Sequence, residues 1–234
     1  EAEVLIEQGR VSVNGEALTQ PGVKVTADDI VRVDGEKLPA LEPPRLWRYS
    51  KPPGLVTSHK DERGRETVFD TLPLYMPRVI SIGRLDLNSE GLLLLTNDGT
   101  LARSMEHPSR GWTRRYRVRV HGDIKDGMFD SLARGVTVEG VNYGPVQVKL
   151  DRKPGVNSWL TVTLKEGKNR EIRRVMEHVG LKVNRLMRTA YGPFQLGSLK
   201  PGEITEMPHK VLKEQLGADL PGFQKSAGKN SRKK

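Results

Sequence analysis

The chain has 234 residues, a formal net charge of +10 and no cysteine. The lack of cysteine excludes disulfides and thiolate zinc sites, and no run approaches the roughly 20 apolar residues of a membrane-spanning helix. A basic chain without cysteine favours a cytoplasmic protein that binds a polyanion and no membrane. Because the basic residues cluster, a nucleic-acid partner is favoured over the alternative that the charge only keeps the chain soluble.

The first 39 residues are expected to form a small module of one helix and two hairpins. The segment "EAEVLIEQGR" predicts the end of a helix closed by Gly9. The pairs Asn14-Gly15 and Asp34-Gly35 each follow a short apolar run and predict tight hairpin turns. The two prolines of "ALEPPR" then predict a linker at 40–45.

Residues 46–212 mix alternating strands with isolated helices, which predicts an α+β domain with a mixed or antiparallel sheet and flanking helices. The strands are expected at "VISIG", "LLLL", "RRYRVRVH", "VQVKL" and "WLTVTL", and the helices at "KDGMFDSLARG" and "NREIRRVMEHVG". The tail at 217–234 has few apolar residues and is expected to be disordered.

The stretch "GRLDLNSEGLLLLTNDG" places an acid, Asp86, in a polar turn between two strands expected to lie in the core. Such a turn is a rigid place to mount a functional carboxylate. The alternative is that Asp86 only caps the turn.

A basic cluster surrounds the start of the helix predicted in "EGKNREIRR". It consists of Lys168, Arg170, Arg173 and Arg174. Cations at this end oppose the helix dipole at a cost of up to about 1 kcal/mol each, so the cluster suggests phosphate or carboxylate partners. A solvated charged face is the alternative. In "RRYRVRVH", the alternation of the strand predicts that Tyr116 points inward and that the arginines point to the other side. Tyr116 is a candidate functional residue, and the alternative is that it only packs in the core. The arginines would face RNA or water.

The order of these motifs resembles one family. "GRLDLNSEGLLLLTNDG", "HPSR", the basic strand with its tyrosine and "LKEGKNREIRRVMEHVG" are together similar to pseudouridine synthases of the small-subunit synthase A type, which include the large-subunit synthases B, E and F. "KPPGLVTSHKDERGRETVFDTLP" fits the family's early block. The front module resembles the RNA-binding domain named after ribosomal protein S-four. It begins near that domain's second helix, which predicts a partial module.

The resemblance implies conversion of uridine to pseudouridine without a cofactor or a metal. It implies catalytic roles for Asp86 in "GRLD", for Tyr116 and for Arg173, which would pair with Asp86 and keep it ionised when RNA closes the site. Arg84 would help to displace the base or hold its phosphate. The remaining residues expected to bind substrate are Lys168, Asn169, Arg170, Ile172 and Arg174.

The segment around "NREIRRVMEHVG" is similar to the synthase B pattern, which favours a uridine of large-subunit ribosomal RNA. We expect a monomer and infer no protein partner. A non-catalytic RNA-binding or ribosome-assembly factor is the alternative, but it would not need an acid at position 86. An RNA methyltransferase would need a nucleotide-like cofactor pocket, usually with a glycine-rich turn, and the sequence has no such turn.

Overall fold

The computed structural model describes residues 2–26, 28–39, 42–152 and 155–217. The chain divides into two units, Glu1–Pro43 and Pro44–Lys234. The division falls inside the segment predicted as a linker, of which residues 40 and 41 lie outside the described residues. The predicted disordered tail lies outside them from residue 218 onwards.

Among its described residues, the first unit has one helix and a four-stranded sheet. Its elements are α1 (Ala2–Glu7), β1 (Val11–Val13), β2 (Glu16–Ala17), β3 (Val31–Val33) and β4 (Glu36–Lys37). The strands lie in the order β2-β1-β3-β4. Asn14 and Gly15 both have positive φ, 53° and 92°, as the predicted tight turn requires, and Asp34 and Gly35 repeat this geometry. Both hairpins are therefore confirmed.

The second unit holds eleven strands and four α-helices among the described residues. The strands are β5 (Leu46–Lys51), β6 (Ile80–Ile82), β7 (Glu90–Thr96), β8 (Arg114–His121), β9 (Val136–Val138), β10 (Val141–Tyr143), β11 (Gln147–Arg152), β12 (Asn157–Leu164), β13 (Lys182–Tyr191), β14 (Phe194–Gln195) and β15 (Ile204–Glu206). The helices are α2 (Gly99–Glu106), α3 (Asp130–Arg134), α4 (Glu171–His178) and α5 (His209–Leu216). The predicted α+β class is confirmed.

A nine-stranded sheet organises this unit. Its main path runs β11-β12-β8-β13-β7-β5-β15, while β14 pairs with β13 and β6 with β7. The contact between β13 and β7 is parallel, whereas the other neighbours along the path are antiparallel. β9 and β10 form a separate hairpin.

The leucine run lies at the centre of the sheet because both faces of β7 are buried. Leu93 and Leu95 belong to one apolar cluster, and Leu92 and Leu94 belong to another. A strand covered on both faces shows a continuous apolar run instead of alternation. The strand carrying this run anchors the polar loop that precedes it.

The structure corrects three details of the sequence prediction. The helix predicted in "KDGMFDSLARG" is limited to α3, because Gly127 adopts a left-handed φ of 74° and the chain turns there. The later helix begins at Glu171, because Arg170 has a φ of 50° and lies in the loop before it. The strand predicted as half-buried, β11, is a sheet edge on which Leu150 is exposed.

Candidate active site

Asp86 lies on the loop between β6 and β7, and a buried lysine holds that loop through its backbone. Lys51 is completely buried at the end of β5. Its Nζ donates to the carbonyl oxygens of Asp86 at 3.3 Å and of Leu87 at 3.3 Å. It also donates to Ser89 O at 2.9 Å and to Pro52 O at 3.0 Å. Burial lowers the pKa of Lys51 from 10.5 to about 8, against the attraction of nearby carboxylates.

Other elements hold the same loop at further points. Thr57 Oγ1 donates to Leu85 O at 3.0 Å. The Glu106 carboxylate of α2 accepts from the backbone N–H of Gly83 at 2.5 Å. The side chain of Asp86 is therefore mounted on a backbone fixed from several sides, although the side chain itself stays 33% exposed.

A cavity of about 700 Å³ opens beside Asp86. Six cationic side chains and three acidic ones are among the described residues that line it. The cations are Arg65, Arg84, Arg114, Lys168, Arg170 and Arg188, and the acids are Asp86, Glu106 and Glu171. The cavity is therefore a cationic site with a fixed carboxylate, suited to a nucleotide that carries a phosphate on each side.

The cavity brings together most of the residues singled out in the sequence. Those that line it are Arg84, Asp86, Tyr116, Lys168, Asn169, Arg170 and Ile172. Tyr116 is only 8% exposed and projects from β8 on the cavity side. A phenol, a carboxylate and several guanidinium groups thus face one space from separate elements.

Two arginines lie near Asp86 and are held in different ways. Arg170 Nη1 lies 4.0 Å from Asp86 Oδ2. Arg173, which is expected to pair with Asp86 when RNA closes the site, donates from Nη1 to Val183 O at 3.2 Å and from Nη2 to Asn88 O at 3.3 Å. It lies in the first turn of α4 and is turned towards β13 and the back of the loop. In this structure it therefore positions the loop that carries Asp86.

Arg174 does not line the cavity, and its Nη1 donates to the Tyr143 hydroxyl at 3.4 Å. Successive residues of a helix point about 100° apart, so Arg173 and Arg174 cannot both follow Ile172 towards the cavity. The predicted contact of Arg174 with RNA would therefore be made outside the cavity.

Lys168 and two glutamates form a polar cluster at one end of the cavity. Lys168 Nζ lies 2.8 Å from Glu166 Oε2 and also donates to Asn142 O. Glu171 is buried, and its Oε2 accepts from the backbone N–H of Lys168 at 2.9 Å. Burial, together with the negative charge of Glu166, raises the pKa of Glu171 from 4.5 to about 7.

Two guanidinium groups that line the cavity are held by contacts with the backbone and with an aromatic ring. Arg188 is buried, and its Nε donates to Leu92 O at 2.7 Å. Arg114 and Arg188 both lie over the Tyr191 ring, at 4.9 Å and 5.2 Å from its centre. These contacts fix two of the cavity's cations before any substrate is bound.

Sequence reasoning missed Lys51, Glu171 and Arg188. Lys51 offered a signal. It directly follows "LWRYS", a run with several large apolar residues, and a lysine at the end of a buried strand must find several hydrogen-bond acceptors. Glu171 and Arg188 offered none, because their burial depends on strands that are distant in sequence. Among the described residues, no cluster of His, Asp and Glu could hold a metal ion, and no helix is long and apolar enough to cross a membrane.

Comparison with known proteins assigns the family. The model of the RNA pseudouridylate synthase family matches residues 45–178, more than half of the chain, and the S4 domain model matches residues 1–31. An RNA pseudouridine synthase of Rickettsia bellii is 52% identical over 91% of this chain and 92% of its own length. The ribosomal large subunit pseudouridine synthase B of Yersinia pestis is 42% identical over 96% of this chain and 74% of its own length.

The fold agrees with these sequence matches. A crystal structure of a pseudouridylate synthase superposes with a TM-score of 0.66 at 26% identity, covering 92% of each chain. The prediction of an RNA-modifying isomerase is thereby confirmed at the level of the family. The chain belongs to the RNA pseudouridylate synthase family.

Proposed function

We propose that this enzyme converts a uridine of large-subunit ribosomal RNA into pseudouridine, with Asp86 as the catalytic carboxylate. One observation carries the proposal: the Asp86 loop is held through its backbone while the Asp86 side chain faces a cationic cavity shared with Tyr116 and Arg170. A fixed acid inside a basic groove is the arrangement that attack on, or stabilisation of, a ribose carbon requires.

The reaction is an internal rearrangement of one nucleotide. The bond between ribose C1′ and base N1 breaks, the base turns, and a bond forms between C1′ and base C5. The proton on C5 is lost and N1 gains one, so atoms and electrons balance within the substrate and water. The protein must supply a carboxylate, a route for protons and a space in which the base can turn.

The side chains of the cavity supply these requirements. Asp86 acts on C1′, either as a nucleophile or as an ionised partner of a cationic sugar. Arg170, whose Nη1 lies 4.0 Å from Asp86 Oδ2, is placed to orient the carboxylate. The Tyr116 ring stacks on the extracted base, and its hydroxyl accepts or donates a proton.

The target base must leave its stack to reach Asp86. Extrusion costs a few kcal/mol and less at an unpaired nucleotide, so a loop or bulge of the RNA is the expected target. Arg84 is exposed at the mouth of the cavity and would occupy the space left by the base or contact its phosphate. Asn169 lies beside Arg170 in the loop before α4 and would contact the same nucleotide.

The large-subunit target rests on sequence similarity to one branch of the family. Relatives from Yersinia pestis and Escherichia coli O157:H7, at 42% and 44% identity, are named ribosomal large subunit pseudouridine synthase B. The segment "NREIRRVMEHVG" is similar to the pattern of that branch. The narrower grouping with the small-subunit synthase A rests on motif order alone. The expectations of a cytoplasmic monomer without a protein partner remain part of this proposal.

The first unit is proposed to add RNA affinity without taking part in the chemistry. It matches the S4 domain, and its cations Arg10, Lys24, Arg32 and Lys37 are distant in sequence from Asp86. Arg10 is already paired with Asp34 at 2.6 Å. The predicted bounds, a module at 1–39 and a catalytic domain at 46–212, belong to the same proposal.

Mapping pseudouridine in ribosomal RNA tests the function. Unmodified transcripts of the large and small subunit RNAs are incubated with the purified enzyme, and pseudouridine is mapped at single-nucleotide resolution, with the Asp86→Asn variant as control. We expect one new pseudouridine in the large-subunit transcript and none with the variant. Modification of the small-subunit transcript alone would contradict the target, and binding of RNA without any modification would favour the assembly-factor alternative.

A further inference from the structure

The main sheet has an open side that the proposed chemistry does not use. Along β8, Arg114 and Tyr116 line the cavity, so by the two-residue period of a strand Arg115, Arg117 and Arg119 point to the other side. β12 and β13 pair directly with β8, and β11 pairs with β12. Residues that lie opposite each other in these pairs share a face, so this side of the sheet spans four strands. We call it the reverse face.

The reverse face is strongly basic. The guanidinium groups of Arg115, Arg117 and Arg119 are exposed, and the ion pairs among the described residues leave all three without a carboxylate partner. Further exposed cations lie on the flanking strands at Lys149, Arg152 and Lys182. The positive charge therefore covers several neighbouring strands.

The two acids near this face are already engaged. Asp151 accepts a hydrogen bond from Thr161 Oγ1 at 2.8 Å, and Glu90 is paired with Arg185. Arg185 lies directly opposite Arg119 in the sheet. Glu90 compensates the charge of Arg185, so among the described residues the charge of Arg119 is left without a carboxylate and repels those of its neighbours on β8. A polyanionic ligand would relieve the repulsion.

One aromatic side chain lies within the basic face. Trp159 is half-buried on β12, and the Arg117 guanidinium lies over its ring at 4.7 Å from the centre. An indole with a guanidinium over its ring, on the exposed side of a sheet, is a surface of the kind on which unpaired bases stack. Alternate residues of a strand are about 7 Å apart, so the β8 arginines form a row along which an extended phosphate backbone can lie.

We propose that the reverse face binds a second, single-stranded segment of the substrate RNA, remote from the nucleotide in the cavity. The arginines of β8 contact its phosphates and Trp159 stacks on one of its bases. The inference rests on the proposed function only in taking RNA as the substrate. It adds a second RNA-binding surface to the catalytic unit, separate from the cleft and from the S4 match.

The test compares two triple variants of the full chain. The first carries Arg115→Gln, Arg117→Gln and Arg119→Gln. The matched control carries Lys125→Gln, Arg134→Gln and Lys210→Gln, which removes the same charge at exposed positions outside these four strands. Thermal melting establishes that both variants are folded before RNA binding is compared.

Binding is measured by fluorescence anisotropy over a range of salt concentrations with two RNAs. One is the minimal hairpin that carries the target uridine, and the other is the same hairpin with a single-stranded flank of about 15 nucleotides, within the range of known single-strand sites. For the flanked RNA we expect the reverse-face variant to bind at least about tenfold more weakly and its salt slope to fall by about 2, the value for three lost phosphate contacts to a single strand. The control variant and the minimal hairpin should change much less.

Equal affinity and salt slope of the two triple variants on the flanked RNA would overturn the proposal. So would a defect seen only with protein-containing ribosomal precursors, because that result would indicate an acidic protein partner. Failure of the proposed function can be told apart from failure of this proposal. If the proposed function is wrong, the parent enzyme forms no pseudouridine on the minimal hairpin. The binding measurement does not depend on turnover and tests the reverse face separately. Ultraviolet cross-linking of the flanked RNA should yield a peptide that contains Trp159.

Discussion

Lys51 and Asp86 are connected through the backbone, and the charge of one does not pair with the charge of the other. Lys51 Nζ donates to the carbonyl oxygen of Asp86 at 3.3 Å and to three neighbouring carbonyls of the chain. The carboxylate of Asp86 is thus left for Arg170 and the substrate. This division of contacts holds the loop in place and leaves the carboxylate side chain at the cavity.

Replacing Lys51 with methionine should remove both the charge and the shared donor. Met has a similar length and no N–H groups, so four carbonyl oxygens lose a donor in a buried site. We expect the free energy of unfolding to fall by about 3 kcal/mol, because a hydrogen bond to a charged group contributes about 1.5–3 kcal/mol. Chemical denaturation measures this change, with the exposed Lys60→Met as control. Equal stability of the two variants would show that Lys51 does not support the loop.

Arg170 and Arg173 should respond differently to the same substitution. The Arg170 side chain is 52% exposed, so Arg170→Gln should leave the melting temperature unchanged and lower kcat by about tenfold or more through loss of charge beside Asp86. Arg173→Gln should also destabilise the fold by about 2 kcal/mol, because its contacts to Asn88 O and Val183 O are lost. Melting curves and single-turnover rates of both variants check this. A normal melting temperature for Arg173→Gln combined with lost activity would restore it as the partner of Asp86.

Tyr116→Phe separates stacking from proton transfer. The ring remains, so the core packing and RNA affinity should be retained. The single-turnover rate should fall by about 10²–10⁴, the usual contribution of a positioned acid or base. A rate equal to that of the parent enzyme would reduce Tyr116 to a packing and stacking residue.

Glu171 should make the stability of the enzyme depend on pH. Its pKa is raised from 4.5 to about 7 by burial and by Glu166, so the folded state retains a proton that the unfolded chain has released. Stability is therefore highest below the lower value and falls as pH rises through this window. Glu171→Gln keeps an acceptor for the Lys168 N–H and removes the titration.

The pH effect is measured as a difference between Glu171→Gln and the parent. We expect the variant to gain about 2 kcal/mol relative to the parent between about pH 5 and about pH 8. The exposed Glu177→Gln on the same helix serves as control and should show no such trend. A difference that stays constant with pH would mean that Glu171 is ionised throughout.

The sequence sufficed for several patterns that are local. Turn residues such as Asn14-Gly15, the alternation around Tyr116 and the continuous leucines of β7 each depend on neighbours in the chain. The parallel contact of β13 with β7 could not be predicted, because it joins residues about a hundred positions apart and determines where Arg188 is buried. The same limit applies to Arg173, whose acceptors on Asn88 and Val183 come together only in the folded sheet.

The role of Asp86 is tested most directly by Asp86→Asn. The amide is nearly the same size and caps a turn about as well as the acid, and Lys51 holds the residue by its backbone, so melting should not change. RNA affinity should be equal or slightly higher, because a negative charge near the phosphates is removed. Pseudouridine formation by the purified variant on ribosomal RNA should not exceed background. Activity within a few-fold of the parent would contradict the assignment of Asp86 and the proposed mechanism.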